Sequence, residues 1–572
     1  MKKFFIALMC IFISNYHLLS QNISEIFSLY ENAVYNWESS SKLAKPYFEK
    51  LYYQIEPLYN RYYTNNLSIG DEIHKISRNY IRFMNDYYIK GFGGKEYIEN
   101  AWKMSQTLKG YEALKEYNAL MLLDPKNEEL LNVINNTDIY DYEELRKLNK
   151  YIDIQSKQTL FLEIPTIQEI QNKLQNDDLY ISFNFSLNDR SFYIILISPQ
   201  NVDVYKSKIT TYELYNRIAI VKGIMNDENN LINIGCINLS AKGLDGTKTL
   251  DKNLSILEAE INQAIKKFSA KNIIIENDII ISQIPFDLLH SNNVPFYKKY
   301  NITYVPNASY YIKLHNTTSS NSSQDIVGIS PEINEDDIIM EQEINILKDL
   351  NNASVLTNCS RDEFLSFINE NHSLDILHIS SHFNKEVLTR DIEKIEIDGK
   401  NYYYLDKLSK EEGCFAFGDN DVSIQDILTH NHSTAKTLVL SGCETATSDD
   451  VLSIINPIWN WEKDQDDKVS DDGNGMEINL LLSLITNQGC YCNSTKSFDN
   501  LFLLAISFSP QYIIAFQNNV DQESSWRFFN EFYLNYLDFQ DTKQAFFHTK
   551  RSLMDLNDSG YFDYASIVLV CK

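Results

Sequence analysis

The chain has 572 residues, with 51 Lys and Arg against 78 Asp and Glu, and so a formal net charge of −27 at pH 7. Its 44% hydrophobic and 23% charged residues are typical of a folded globular protein and exclude a disordered or coiled-coil chain. The acidic balance argues against nucleic acid as a partner, because binding a phosphate backbone needs a basic stripe. No run of 18 or more apolar residues occurs, so the sequence predicts no transmembrane segment in the mature chain.

The N-terminus has the order of a secretory signal peptide. Lys2 and Lys3 precede an apolar run from Phe4 to Ile13, and small or polar residues follow at positions 20–22. The apolar run is too short to span a bilayer, as is typical of a cleaved signal. We therefore expect residues 1–20 to be removed and the protein to be exported, either to the periplasm or out of the cell. A buried N-terminal helix in a cytoplasmic protein is the alternative.

The mature chain keeps seven cysteines at low density, so the sequence does not indicate a disulfide scaffold. An odd number in an exported chain implies at least one free thiol. Cys490 and Cys492 lack a second ligand pair at the spacing of a zinc site. The sequence therefore predicts neither a metal nor a cofactor.

Apolar residues recur at helical spacing in residues 23–150, most clearly from Tyr97 to Leu123. Asp124 and Pro125 then end the helix, because proline disfavours the helical conformation in the residue before it. Helices that end in a Leu-Asp-Pro-Lys-Asn turn suggest degenerate tetratricopeptide-like repeats, although a plain helical bundle is the alternative. We expect this region to gate the rest of the protein or to contact a protein regulator.

From about residue 160 the period changes, and short β-rich runs alternate with helical windows such as Asn253–Phe268. This alternation predicts βαβ units and an α/β fold with a mostly parallel sheet flanked by helices. The predicted strands are Leu179–Phe185, Phe192–Ile197, Val202–Tyr205, Ile273–Ile275, Ile279–Ile281, Ile326–Ile329, Ile376–Ser380, Thr437–Ser441 and Tyr512–Phe516.

Two of these strands end in residues that can carry chemistry. The run from Asp375 ends in Ser-Ser-His382, and the run from Lys436 ends in Ser-Gly-Cys443. Ligands of open α/β sheets bind outside the carboxyl ends of the strands, so the imidazole and the thiol can meet in one cleft. A thiolate is a nucleophile, and a nearby imidazole can lower its pKa or protonate a leaving amine.

The ordered motifs resemble the CHAT family, caspase-like peptidase domains associated with tetratricopeptide repeats, within the clan of caspases, separases and gingipains. Leu438–Ala446 is similar to the family's LVLSACETG segment, and Ile284–Leu289 to its LPFEAL segment. The resemblance covers residues 160–572, with a pseudo-caspase-like half at 160–325 and a catalytic half at 326–572. Further similar segments are Leu179–Ile197, Ile302–Tyr310, Glu341–Leu356, Ala515–Asp521, Phe528–Tyr533, Thr542–Ala545 and Tyr564–Val570.

This resemblance implies a cysteine endopeptidase that cleaves a protein substrate. Cys443 would attack the scissile carbonyl, and His382 would protonate the departing amine and then assist water. Backbone N–H groups near Cys443, with Phe383 and Gly442 as candidates, would hold the oxyanion. Asp449 and Asp450 follow the nucleophile and could line a specificity pocket, although an exposed acidic turn is the alternative.

One residue departs from the family pattern. The family follows its catalytic histidine with glycine, whereas this chain has Phe383. Glycine permits backbone conformations that a bulky aromatic residue resists. The difference supports a second hypothesis, in which the chain keeps the fold as a catalytically inactive interaction scaffold.

Overall fold

The structure is a computed structural model in which two compact units divide at residues 111 and 112. The described residues are 25–37, 39–59, 67–121, 164–184, 191–210, 213–214, 217–218, 221, 232–234, 237–239, 246–276, 284–316, 325–331, 338–350, 353–384, 387–397, 400–411, 414–417, 421–442, 504, 507–517, 520–556 and 561–571. The predicted signal peptide and the predicted domain boundaries at 150 and 160 lie outside these residues. In the described part, no helix is both long and apolar enough to cross a bilayer.

The first unit is helical, as the sequence predicts. Its core is built from aromatic rings: Phe48 and Phe83 stack at 4.2 Å between ring centroids, and Trp37 packs edge-on against both. Aromatic pairs of this kind bury large apolar surfaces and add a modest geometric preference. Its helices include α1 (Ser41–Tyr59), α2 (Leu67–Ile89) and the first part of α3 (Glu96–Met121), which continues past residue 111. The assignment of these helices to tetratricopeptide-like repeats stays a prediction.

The second unit alternates strands with helices. Its strands are β1 (Asp178–Asn184), β2 (Tyr193–Ile197), β3 (Val202–Lys206), β4 (Ile232–Ile234), β5 (Ile237–Leu239), β6 (Asn272–Glu276), β7 (His290–Ser291), β8 (Val294–Pro295), β9 (Asn301–Val305), β10 (Ile326–Pro331), β11 (Ala353–Cys359), β12 (Ser373–Ser380), β13 (Phe383–Asn384), β14 (Val387–Ile397), β15 (Lys400–Glu411), β16 (Cys414–Phe415), β17 (Val422–Ser423), β18 (Thr434–Ser441), β19 (Tyr512–Phe516) and β20 (Ile567–Cys571). Its helices are α4 (Ile167–Lys173), α5 (Gly246–Ile265), α6 (Phe296–Lys299), α7 (Ala308–Asn316), α8 (Ile338–Asn345), α9 (Arg361–Asn369), α10 (Ile424–His430), α11 (Gln522–Phe539), α12 (Thr542–Leu556) and α13 (Tyr561–Ser566).

Eleven of the described strands form one sheet, in the order β11-β10-β12-β18-β19-β20-β9-β6-β1-β2-β3. Neighbours pair in parallel except at β19–β20, β1–β2 and β2–β3, so the prediction of a mostly parallel α/β sheet is confirmed. Because β19 and β20 are antiparallel, β10, β12, β18 and β19 run opposite to β1, β6 and β9. The carboxyl ends of β10, β12, β18 and β19 therefore lie together at one edge of the sheet.

The last strand joins the two halves of the sheet, since β20 pairs with β19 on one side and β9 on the other. A buried ion pair spans the same junction. Lys550 of α12 donates to the Asp287 carboxylate at 2.6 Å and to the Ile567 carbonyl at 2.6 Å. Both charged side chains are nearly inaccessible to solvent. The two halves are thus held by a shared strand and by a buried charge pair.

Several strands were absent from the sequence prediction. The edge strand β11 alternates half-buried with exposed residues and carries Ser, Thr and Asn side chains, so it lacks the apolar run that marks a buried strand. A two-stranded hairpin, β14–β15, was also missed; it follows β13 and stands apart from the large sheet. The predicted strand Ile279–Ile281 lies outside the described residues.

Candidate functional site

The candidate site begins where β12 and β18 end, because these two strands are neighbours in parallel register. Ser380 lies opposite Ser441, and the Ser381 N–H donates to the Ser441 carbonyl at 3.1 Å. His382 follows Ser380 by two residues, and Cys443 follows Ser441 by two residues. The chain therefore leaves both strands at the same level of the sheet just before the two predicted catalytic residues.

His382 is exposed, whereas the backbone that carries it is fixed. Its carbonyl accepts a hydrogen bond from the Ala416 N–H at 2.9 Å. The buried Ser381 hydroxyl donates to the Ala416 carbonyl at 2.7 Å and lies 3.1 Å from the His382 carbonyl oxygen. These bonds hold the backbone of His382 at the carboxyl edge of the sheet, where its side chain is exposed.

Phe383, the residue in place of the family's glycine, is in extended backbone at the start of β13. It is absent from the residues of positive φ in the described part of the chain, so its conformation does not require glycine. The ring is buried and packs on Phe415 with 4.9 Å between centroids. An aromatic residue therefore fits this position because its side chain becomes part of a small apolar cluster.

The pairing of β13 with β16 also sets the direction of the Phe383 amide. Phe383 lies opposite Phe415 in antiparallel register, and the flanking bond runs from the Ala416 N–H to the His382 carbonyl. This pattern marks Phe383–Phe415 as a non-hydrogen-bonded pair, whose N–H groups point away from the partner strand. Since β13 is an edge strand of the sheet β13-β16-β17, the Phe383 N–H points outward from it.

The nucleophile side of the site is described only up to Gly442. Gly442 is buried directly after β18. Cys443, Asp449 and Asp450 lie outside the described residues, so their predicted roles stay predictions. Across the described part of the chain, no group of three or more His, Cys, Asp or Glu side chains is arranged to hold a metal ion.

A buried polar network beneath the strand ends was not anticipated from the sequence. Glu343 on α8 accepts from His378 Nε2 at 2.8 Å and from the Ser525 hydroxyl at 2.6 Å. His378 Nδ1 lies 2.7 Å from the Tyr533 hydroxyl, and Ser525 Oγ lies 3.0 Å from Ser441 Oγ. All five side chains are buried, and the network ends two residues before Cys443.

Burial raises the pKa of Tyr533 well above its ordinary value, and the Glu343 carboxylate raises it further. The phenol therefore keeps its proton and can donate it to His378. The sequence carried one signal for this network, because His378 is a polar residue inside the apolar run of β12. Its partners lie on α8 and α11, far apart in the sequence, so that signal could not identify them.

Comparison with known proteins agrees with this architecture. Residues 248–456, a little over a third of the chain, match the family model described as the CHAT domain. A search of curated proteins found no match.

Among solved structures, the fold is similar to a chain of the Saccharomyces cerevisiae separase–securin complex at 3.0 Å resolution, with a TM-score of 0.50 and 10% identity. That alignment covers 96% of this chain and 40% of the other, so this chain spans about two fifths of its structural neighbour. A second structure of the same complex, at 2.6 Å resolution, matches with a TM-score of 0.37 and 10% identity over 87% of this chain and 37% of the other.

Separase belongs to the caspase-like clan, and the α/β sheet described above has the caspase-like arrangement. The motifs that end β12 and β18, the match over residues 248–456 and the sheet agree with one another. Residues 248–456 match the CHAT domain, and the second unit has an α/β caspase-like fold.

Proposed function

We propose that the protein is a caspase-like cysteine endopeptidase that cleaves a protein substrate with a dyad of Cys443 and His382. The single observation that carries this proposal is the register of β12 and β18, which brings the chain out of both strands at the same level. An exposed imidazole on a fixed backbone is suited to proton transfer in such a cleft.

In the proposed reaction the Cys443 thiolate attacks the scissile carbonyl carbon and forms a tetrahedral intermediate. The C–N bond then breaks, the amine leaves with a proton from His382, and a thioester remains on Cys443. His382 next takes a proton from water, and the hydroxide releases the carboxylate product and the thiol. The outward-pointing Phe383 N–H and the N–H of Cys443 are the proposed donors to the oxyanion, and one such donor is worth about 3–4 kcal/mol.

The extended backbone of Phe383 supports this proposal over an inactive scaffold. The second candidate function, a catalytically silent interaction scaffold, is favoured by Phe383 at the family's glycine position. Extended backbone needs no glycine, and the aromatic ring is accommodated beside Phe415. The substitution is therefore compatible with a working donor N–H.

We also propose that a protein partner regulates this activity through the helical unit and that the chain is exported. The partner proposal is supported by the separase–securin complex among the similar structures, which is an assembly of two proteins. Export rests on the order of charged, apolar and polar residues before position 23. A fusion of residues 1–25 to a reporter tests export, because retention of the reporter in the cytoplasm would contradict it.

The test of peptidase activity is cleavage of a diverse peptide library, read by mass spectrometry. The full chain should cut a reproducible subset of peptides, and Cys443→Ala and His382→Ala should abolish those cuts. Cys414→Ala is the matched control, because Cys414 is a cysteine on β16, the strand that pairs with β13 beside His382. Cleavage that survives Cys443→Ala would eliminate the dyad, and the absence of cleavage in the wild type would favour the scaffold.

A further inference from the structure

The buried network ties the end of β18 to two helices outside the sheet. Ser441 is the last residue of β18, Ser525 lies in the first turn of α11, and Glu343 lies on α8. The ladder hydrogen bonds of β18 run within the plane of the sheet to β12 and β19. The bond from Ser441 to Ser525 runs out of that plane, so it fixes the end of the strand in the direction that the ladder leaves free.

The donors of this network have one consistent order. The Glu343 carboxylate only accepts, so the Ser525 hydroxyl and His378 Nε2–H both donate to it. Because the Ser525 proton is used, Ser525 Oγ must accept from the Ser441 hydroxyl. On the other side, the Tyr533 hydroxyl lies 2.7 Å from His378 Nδ1. The hydroxyl protons of Ser441 and Ser525 therefore both point toward Glu343.

We propose that Ser441, Ser525 and Glu343 are positioning residues for the nucleophile. They fix the end of β18, from which only Gly442 separates Cys443, and they do so without touching the substrate. Hydrogen bonds to a buried carboxylate are stronger than neutral ones, so this anchor resists displacement more than a serine pair alone would. The inference rests on the proposed function, because it assumes that Cys443, two residues after Ser441, is the nucleophile.

The sheet supplies a matched comparison within the same few residues. Ser380 ends β12 as Ser441 ends β18, the two are register partners, and both are buried. Ser380 Oγ has no hydrogen-bond partner among the described residues. Ser380→Ala and Ser441→Ala each remove one hydroxyl group, and they do so at equivalent positions of neighbouring strands. Only the Ser441 hydroxyl connects to α11 and α8. Ser524, the buried neighbour of Ser525, is the corresponding control on the helix.

The experiment measures alkylation of the full chain by iodoacetamide, with the rate at each cysteine resolved by mass spectrometry. Ser441→Ala and Ser525→Ala should each slow alkylation of Cys443 by roughly tenfold, since small misplacements of a reacting group carry such costs. Ser380→Ala and Ser524→Ala should leave that rate within about twofold of the wild type. The double variant Ser441→Ala/Ser525→Ala should be no slower than either single variant, because both changes break one connection.

Cys414 is the internal reference, and thermal unfolding of each variant identifies any loss of fold. Ser441→Thr keeps the hydroxyl and should restore the rate that Ser441→Ala loses. Equal effects of Ser441→Ala and Ser380→Ala, or additive effects in the double variant, would overturn the positioning role. Wild-type Cys443 that reacts no faster than Cys414 would instead overturn the proposed function, so the two failures are distinguishable.

Discussion

The buried ion pair between Lys550 and Asp287 leads to a sharp prediction about stability. The Lys550 ammonium has a hydrogen-bond acceptor for each of its three protons: the Asp287 carboxylate, the Ile567 carbonyl at 2.6 Å and the Ala565 carbonyl at 3.4 Å. Burial lowers the pKa of Lys550, and the carboxylate of Asp287 opposes that effect. The charge is therefore tolerated in the interior only because its partners surround it.

Lys550→Met keeps most of the side-chain volume but removes the ammonium that donates to the Asp287 carboxylate and to two carbonyls. Removing one member of a buried ion pair costs about 3–5 kcal/mol, because the remaining charge stays in a medium of low polarity. We expect the free energy of unfolding to fall by that amount, measured by urea denaturation followed by circular dichroism. Asp287→Asn in the Lys550→Met background should recover part of the loss, because it removes the unpaired charge.

The matched control is Lys271→Met, since Lys271 pairs with Asp177 at 3.0 Å but its side chain is 77% exposed. An exposed ion pair contributes about 0–1 kcal/mol, so this change should be nearly silent. Equal losses in Lys550→Met and Lys271→Met would refute the reasoning that burial makes the first pair indispensable.

Three further predictions concern the site and its surroundings. Burial, and to a lesser extent Glu363, raises the pKa of Cys359 from 9.0 to about 11. Iodoacetamide at pH 8 should therefore label Cys359 far more slowly than Cys414. Equal labelling rates at the two cysteines would contradict this. The Cys359 thiol ionises near pH 9 in the unfolded chain but only near pH 11 in the folded protein. Raising the pH from 9 toward 11 should therefore lower the free energy of unfolding, and Cys359→Ala should make this decrease with pH smaller. Phe383→Gly should destabilise the protein by about 3 kcal/mol, because the packed ring is lost. The rate of Cys443 alkylation should not rise in this variant. Faster alkylation would mean that the Phe383 ring obstructs the site. Glu343→Gln keeps the shape of the side chain but replaces one accepting oxygen with a donating amide, and should lower the free energy of unfolding by about 1–2 kcal/mol in denaturant titration. An unchanged midpoint would contradict the contribution of the two hydrogen bonds that Glu343 accepts.

The sequence predicts the strands of residues 326–572 well where they are buried on both faces. β12 and β18 are apolar runs that end in serine, and the polar residues after them mark the carboxyl edge. That His382 and Cys443 meet stays a prediction from this edge, and the register of Ser380 with Ser441 shows only that the two strands end side by side.

The polar network could not be predicted in the same way. Glu343, His378 and Ser525 come from three separate elements, and only His378, inside the apolar run of β12, stands out from its neighbours in the sequence. Only the packing of α8 and α11 against β12 and β18 brings them within hydrogen-bond distance. The backbone of Phe383 was equally hidden, because its extended conformation depends on pairing with β16, more than 30 residues later in the chain.

The most direct test of the proposed dyad is the dependence of Cys443 reactivity on His382. At pH 7 the rate of Cys443 alkylation by iodoacetamide in the full chain should exceed that of Cys414 by roughly tenfold or more, because a neighbouring imidazole favours the thiolate. His382→Ala should reduce the Cys443 rate to about that of Cys414 and leave Cys414 unchanged. A Cys443 rate that is the same in the wild type and in His382→Ala would contradict the account.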